Sequence, residues 1–121
     1  MKKFGKRFVA FCCVAALAAT CTVGASAAIR RTSGTCGGVA FSGWVERVDS
    51  QNARAATILS RKPRAGEVVA VRIRYDGLET NERTTTVNSS VQTSLYRYTG
   101  FSSYNGVHRV IAGGEQKTIL S

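Results

Sequence analysis

Residues 67–76 read EVVAVRIRYD, and this stretch decides the fold class. Two sets of side chains alternate along it, one apolar and one mostly polar: Val69, Val71, Ile73 and Tyr75 against Ala70, Arg72, Arg74 and Asp76. A period of two is the pattern of a strand that buries one face and exposes the other. Asp76-Gly77 then supplies a turn dipeptide. The stretch therefore predicts a half-buried β-strand with an arginine-bearing outer face.

The same short period recurs between turn signals over most of the chain. The further strand candidates are residues 38–48, 53–60, 82–88 and 91–98, and a hairpin around Gly113-Gly114 within 107–120. Gly43 interrupts the alternation of the first candidate and predicts a bulge. Residues 53–60 also fit helical spacing, although we favour a strand there. The register of the final hairpin stays open, because Val110 and Ile111 are adjacent apolar residues.

Six or seven short antiparallel strands at this spacing predict an all-β protein. The expected architecture is a small single-domain sandwich or barrel. We divide the chain into a signal peptide at residues 1–27, a flexible N-terminal segment at 28–37 and a β domain at 38–121.

The N-terminus has the three parts of a secretory signal peptide. Its basic residues are Lys2, Lys3, Lys6 and Arg7. An apolar stretch follows at 8–20, and Ala25-Ser26-Ala27 offers a cleavage site with small residues. We expect cleavage after Ala27 and a secreted or extracellular protein, in which case no membrane span remains in the mature chain.

Two other readings of the N-terminus stay open. Residues 8–28 are uncharged over a length that can span a bilayer, so an uncleaved anchor is the first alternative. Cys21 follows the residues LAAT, which resemble a lipoprotein box shifted by one position. A lipid-modified Cys21 is therefore the second alternative.

Charge is the strongest compositional feature of the chain. The formal net charge is +10, and of the 17 basic residues thirteen lie after the signal, eleven of them arginine. Arginine pairs bidentately with carboxylate and phosphate, so we expect an anionic or glycan polymer as the partner. The alternative is that this charge only keeps a small secreted domain soluble. Secretion argues against nucleic acid as the partner.

Catalytic and metal-binding patterns are sparse. The chain after the signal has one histidine and one cysteine, which cannot build a two-histidine or paired-cysteine metal site. Cys36 and His108 are the only nucleophile and base of the cysteine-hydrolase kind, and no pattern brings them together. We predict no enzyme, no cofactor and no metal. A secreted antibacterial or toxin-like protein, or a small hydrolase, is the alternative function.

Cys36 is the one cysteine that remains after the signal, and glycines flank it on both sides. A flexible backbone there would leave the thiol accessible, and an odd cysteine in a secreted chain can pair with a second copy. We therefore expect that Cys36 can form an intermolecular disulfide in a homodimer. The alternatives are a buried, reduced thiol and self-association through an exposed strand edge, as in a structural subunit.

Basic and aromatic residues give the positive indication of function. The predicted contact face consists of Arg72, Arg74, Tyr96, Arg97, Tyr98 and Arg109. If their strands are neighbours, these residues form one surface that stacks on sugar rings and binds anionic groups. We therefore expect a secreted, non-catalytic binding module at the cell envelope or in the extracellular space.

Overall fold

A computed structural model of the protein describes residues 28–121, and the predicted signal peptide with Cys21 lies outside the described residues. The described chain is all-β. Its strands are β1 (Ala28–Cys36), β2 (Val39–Arg47), β3 (Asn52–Leu59), β4 (Val68–Tyr75), β5 (Leu78–Glu79), β6 (Arg83–Thr85), β7 (Ser90–Tyr96), β8 (Tyr104–Ala112) and β9 (Glu115–Leu120). The prediction of a small all-β domain is confirmed, including the strand at 53–60.

Two antiparallel sheets pack face to face. Sheet A has the order β1-β2-β3-β7. Sheet B has the order β5-β4-β8-β9, with β6 beside β5 on the same edge of β4. Side chains of both sheets meet in the core, as when Val45 and Ala55 of sheet A pack with Val71 and Ile73 of sheet B. The architecture is therefore a sandwich.

Strand β4 occupies the position that its alternating sequence predicts. Val69, Val71 and Ile73 are fully buried between the sheets. Asp76, which follows β4, has a φ of 47° and Gly77 has a φ of 81°, the left-handed values of a type I′ turn. The predicted turn dipeptide thus leads the chain into β5.

The N-terminal segment differs from its prediction. Residues 28–36 form β1, which pairs with β2 along its whole length from Ala28↔Arg47 to Cys36↔Val39. The prediction of a flexible segment at 28–37 is therefore wrong, because residues 28–36 belong to the β domain. Inward positions of β1 carry Arg30, Thr32 and Gly34, so the strand lacks the apolar alternation that would have revealed it.

The bulge predicted at Gly43 is also wrong. β2 pairs without interruption with β1 on one side and β3 on the other. Gly43 instead faces the core, where the ring of His108 lies directly against its backbone. A side chain at this position would occupy the space of that ring.

The C-terminal hairpin is confirmed, with Ala112 opposite Glu115 across Gly113-Gly114. His108 and Val110 point between the sheets, because they pair with the core residues Val71 and Val69 of β4. Val107 is buried as well, although it lies on the opposite face. Both faces of β8 are covered at this point, which explains why apolar periodicity did not determine the register.

Candidate functional site

The six residues predicted as one contact face lie on three different surfaces. Arg72, Arg74 and Arg109 share the outer face of sheet B, because β4 and β8 are neighbours. Tyr96 lies in β7 and therefore on the outer face of sheet A. Arg97 and Tyr98 follow β7 at the end of the sandwich. The prediction of a single basic and aromatic face is wrong.

Acidic side chains compensate the arginines of sheet B. Glu79 lies 3.2 Å from both Arg72 and Arg74, and Glu82 lies 3.2 Å from Arg72 and 2.7 Å from Arg109. The hydrogen bond from Arg109 holds the pKa of the Glu82 carboxyl below its usual value. The same bond raises the pKa of Arg109. Each of these three arginines thus has a carboxylate partner, so none of them is left unpaired for an external anion.

Arg97 is engaged at the end of the sandwich. It forms an ion pair of 3.3 Å with Asp76, and its guanidinium lies 5.6 Å from the centre of the Tyr75 ring. Asp76 also accepts hydrogen bonds from the backbone amides of Ser103 and Ser102, which lower the pKa of its carboxyl. These bonds fix the segment that leads into β8.

A cleft of about 410 Å³ opens beside this segment. Arg47 lines it and donates hydrogen bonds to the backbone carbonyls of Asp49, Ser50, Phe101 and Ser102. Its guanidinium also stacks 4.4 Å from the centre of the Phe101 ring. Because Arg47 and Asp76 are already satisfied by the chain itself, the cleft is a structural junction rather than a prepared binding site.

A second depression, of about 420 Å³, lies on the outer face of sheet A. It is lined by Ile29, Arg31, Trp44, Glu46, Arg54 and Gln92. Strand pairing brings them together, since one row runs Arg31↔Trp44↔Ala56↔Gln92 across all four strands. Ala56 faces outward in this row and is nevertheless only 5% exposed. Trp44, half-buried and directly opposite Ala56, is the aromatic side chain that lines the depression.

Charged groups surround the indole. Glu46 and Arg54 form an ion pair with 2.8 Å between Oε1 and Nε, and the Glu46 side chain is only 13% exposed. Within residues 28–121, Arg31 has neither an ion-pair partner nor a side-chain hydrogen bond. The outward neighbours along the strands carry hydroxyls: Ser33, Thr35, Ser42, Ser90 and Ser94. The depression thus combines an aromatic surface, an uncommitted cation and hydrogen-bonding groups.

We call this surface the Trp44 face, defined by Ile29, Arg31, Trp44, Glu46, Arg54, Gln92 and Tyr96. The contact face predicted from the sequence includes only Tyr96 of this set. The sequence did contain an indication of this face, because Trp44 lies between Ser42 and Glu46 on one side of its strand. An aromatic among polar outward residues is the pattern of an exposed contact rather than a core position.

The single histidine is held in the core. His108 is fully buried, with Nδ1 2.8 Å from Thr57 Oγ1 and Nε2 2.8 Å from Ser121 Oγ. Thr57 gives its own hydroxyl proton to the carbonyl of Ala70, so His108 donates from Nδ1 and accepts at Nε2. Burial lowers the pKa of His108 to about 4, and the ring is neutral. It joins the two sheets as a structural element.

Cys36 differs from its prediction. The side chain is 1% exposed, and its thiol donates to the carbonyls of Glu115 at 3.2 Å and Val110 at 3.4 Å. Because these partners do not include His108, the two residues do not form a nucleophile and base pair. The prediction that the Cys36 thiol is accessible is therefore wrong. A disulfide to a second copy would require the end of β1 to open.

Comparison with known proteins finds no matching family, no similar curated protein and no similar solved structure. Residues 28–121 contain no cluster of three or more side chains suited to hold a metal ion. In the same part of the chain, no helix has the length and apolar character needed to cross a membrane.

Proposed function

We propose that this protein is a secreted, non-catalytic binding module that holds a polysaccharide of the cell envelope or extracellular space on its Trp44 face. The observation that carries this proposal is the depression around Trp44. There an indole lines a surface depression together with arginine, glutamate and glutamine side chains.

The chemistry of the depression suits a sugar. An indole is a large, rigid, flat apolar surface, and it complements the apolar face of a pyranose ring. Polar groups around the rim pair with ring hydroxyls, with Glu46 as acceptor and Arg54 and Gln92 as donors. Most binding sites combine an apolar surface with a few oriented polar groups in this way.

Tyr96 supports a polymer over a single sugar. It is 63% exposed on the same face as Trp44. The two residues are separated by two strand spacings and four residues along the strands, or about 16 Å between Cα atoms. A ligand that contacts both aromatics must therefore be an extended chain. The sheet holds both side chains on a rigid support, which lowers the entropy cost of binding.

Tryptophan fluorescence tests the proposal directly, because Trp44 is the only tryptophan of the chain. Titration with soluble polysaccharides should change its emission if a sugar ring covers the indole. Calorimetry then compares the wild type with Trp44→Ala and with the control Tyr98→Ala. Tyr98 is 79% exposed but lies beyond the end of β7.

We expect Trp44→Ala to weaken binding roughly thirtyfold, since loss of a central aromatic anchor costs about 2 kcal/mol. Tyr98→Ala should bind as the wild type does. Trp44→Phe, which keeps an aromatic ring at this position, should retain part of the affinity. Equal affinity of the wild type and both Trp44 variants would exclude this face as the binding site.

Self-association is a second candidate function, and the position of β1 favours it. β1 is the terminal strand of sheet A, and one of its edges is unpaired within the described chain. Such an edge can accept a strand from a second copy. Molar mass measured by light scattering over a hundredfold range of concentration tests this, and a constant monomer mass would exclude it.

A further inference from the structure

We propose that the polysaccharide is acidic, and that Arg31 binds a carboxylate of the sugar unit stacked on Trp44. This inference rests on the proposed function and adds the chemical class of the ligand. Among the described residues, some arginines form ion pairs with carboxylates and others do not.

Six arginines of residues 28–121 have a carboxylate partner: Arg54, Arg61, Arg72, Arg74, Arg97 and Arg109. On the Trp44 face, Glu46 is committed to Arg54. Within residues 28–121, no partner occupies the guanidinium donors of Arg31, which lines the depression with the indole. The face carries a net charge of +1, which calls for one negative group on the ligand.

Geometry places that group next to the stacked ring. Arg31 and Trp44 are directly paired across β1 and β2. Paired residues of neighbouring strands have Cβ atoms about 5 Å apart. A substituent on a ring over Trp44 is then within reach of the Arg31 side chain. The other edge of the indole adjoins the Glu46 and Arg54 pair, which is suited to hydroxyls.

A carboxylate fits this position better than a phosphate monoester. The planar guanidinium fork matches the planar carboxylate in a bidentate pair. A phosphate monoester carries a charge near −2, which exceeds the +1 of the face. The net charge of the face therefore favours a singly charged group.

Matched polymers test the inference on the purified protein. Polygalacturonate and hyaluronan are each compared with their carboxyl-reduced forms, which keep the sugar backbone and lose the charge. Dextran sulfate serves as a polymer with a different anion. The variants are Arg31→Gln and, as a matched control, Arg83→Gln. Arg83 is an exposed arginine of β6 that has no ion pair among the described residues.

We expect the wild type to bind at least one acidic polymer three- to tenfold more tightly than its reduced form, as one partly exposed bidentate pair allows. Arg31→Gln should abolish this preference and leave the affinity for the reduced form unchanged. Arg83→Gln should keep the preference.

The possible negative results distinguish the carboxylate inference from the proposed function. Equal affinity for acidic and reduced polymers, a preference that survives Arg31→Gln, or tighter binding of dextran sulfate overturns the carboxylate inference. In those cases polysaccharide binding that still depends on Trp44 leaves the proposed function intact. Binding of none of the polymers, or binding that Trp44→Ala does not weaken, overturns both.

Discussion

Substitution of Gly43 by alanine tests how the two sheets are joined. The Cβ of an alanine would lie 2.5 Å from Cε1 of His108, and closer still to Cγ and Nδ1. Carbon atoms in contact are normally 3.5 Å or more apart, so the ring must move by about 1 Å. Gly34→Ala is the matched control, because its Cβ would lie 3.5 Å from the Phe41 ring, an ordinary contact.

The cost follows from what the movement breaks. Overpacking of a dense core costs about 1 to 3 kcal/mol. The displaced ring also loses the alignment of its hydrogen bonds to Thr57 and Ser121, at about 1 kcal/mol each. We therefore expect Gly43→Ala to lower the free energy of unfolding by about 3 kcal/mol. In a domain of this size, that is a fall in Tm of roughly 15 °C.

Urea unfolding of four proteins measures the coupling: the wild type, Gly43→Ala, His108→Ala and the double variant. Without the ring, the extra methyl enters free space, so Gly43→Ala should cost less than about 0.5 kcal/mol in the His108→Ala background. The coupling energy is then about 2 kcal/mol or more. Equal costs in the two backgrounds would refute the close approach of Gly43 and His108.

Three further predictions concern buried groups. Because the pKa of His108 is lowered to about 4 in the fold, the unfolded chain binds the proton more readily. The free energy of unfolding should be highest above pH 6.5 and fall by up to about 3 kcal/mol as pH drops toward 4. Tm measured over this pH range should fall in the wild type, and His108→Gln should lack the part of the fall that is due to this histidine. Glu67 accepts hydrogen bonds from Arg61 and from the amides of Arg64 and Gly113, and its pKa lies well below the usual value, chiefly because of Arg61. Glu67→Gln should therefore lower the urea midpoint at pH 7, and the difference should shrink as pH falls below about 4.5; an unchanged midpoint at pH 7 would contradict this role. The Cys36 thiol should react with a thiol reagent far more slowly in the native protein than in urea, and equal rates would show that the thiol is not buried in the fold.

The strands that could be predicted are those in which local pattern and tertiary environment agree. In β4, residues with high β propensity alternate with polar ones, and Asp76-Gly77 is suited to the turn that follows. β1 escaped prediction because its inward positions carry Arg30, Thr32 and Gly34, which give no apolar alternation. Backbone pairing with β2, which no side-chain pattern records, makes this segment a strand.

The contact face failed for a topological reason. β6 pairs with β4 in sheet B, and the chain then crosses so that β7 pairs with β3 in sheet A. Periodicity shows which side of a strand a residue occupies but not which sheet the strand joins. Tyr96 was thereby grouped with Arg72 on a surface that does not exist. The carboxylates that neutralise Arg72 and Arg74 are near them in sequence, because Glu79 and Glu82 follow β4 within a few residues.

The crossing of β7 into sheet A also sets the order in which the molecule can assemble. Two consecutive hairpins join β1, β2 and β3, so these strands can pair without any residue beyond 59. Their fourth neighbour arrives only after residues 60–89 have been made, a separation that slows the closure of the sheet. Gln92 and Tyr96 belong to that late strand. The surface around Trp44 is therefore complete only after this long-range pairing has formed.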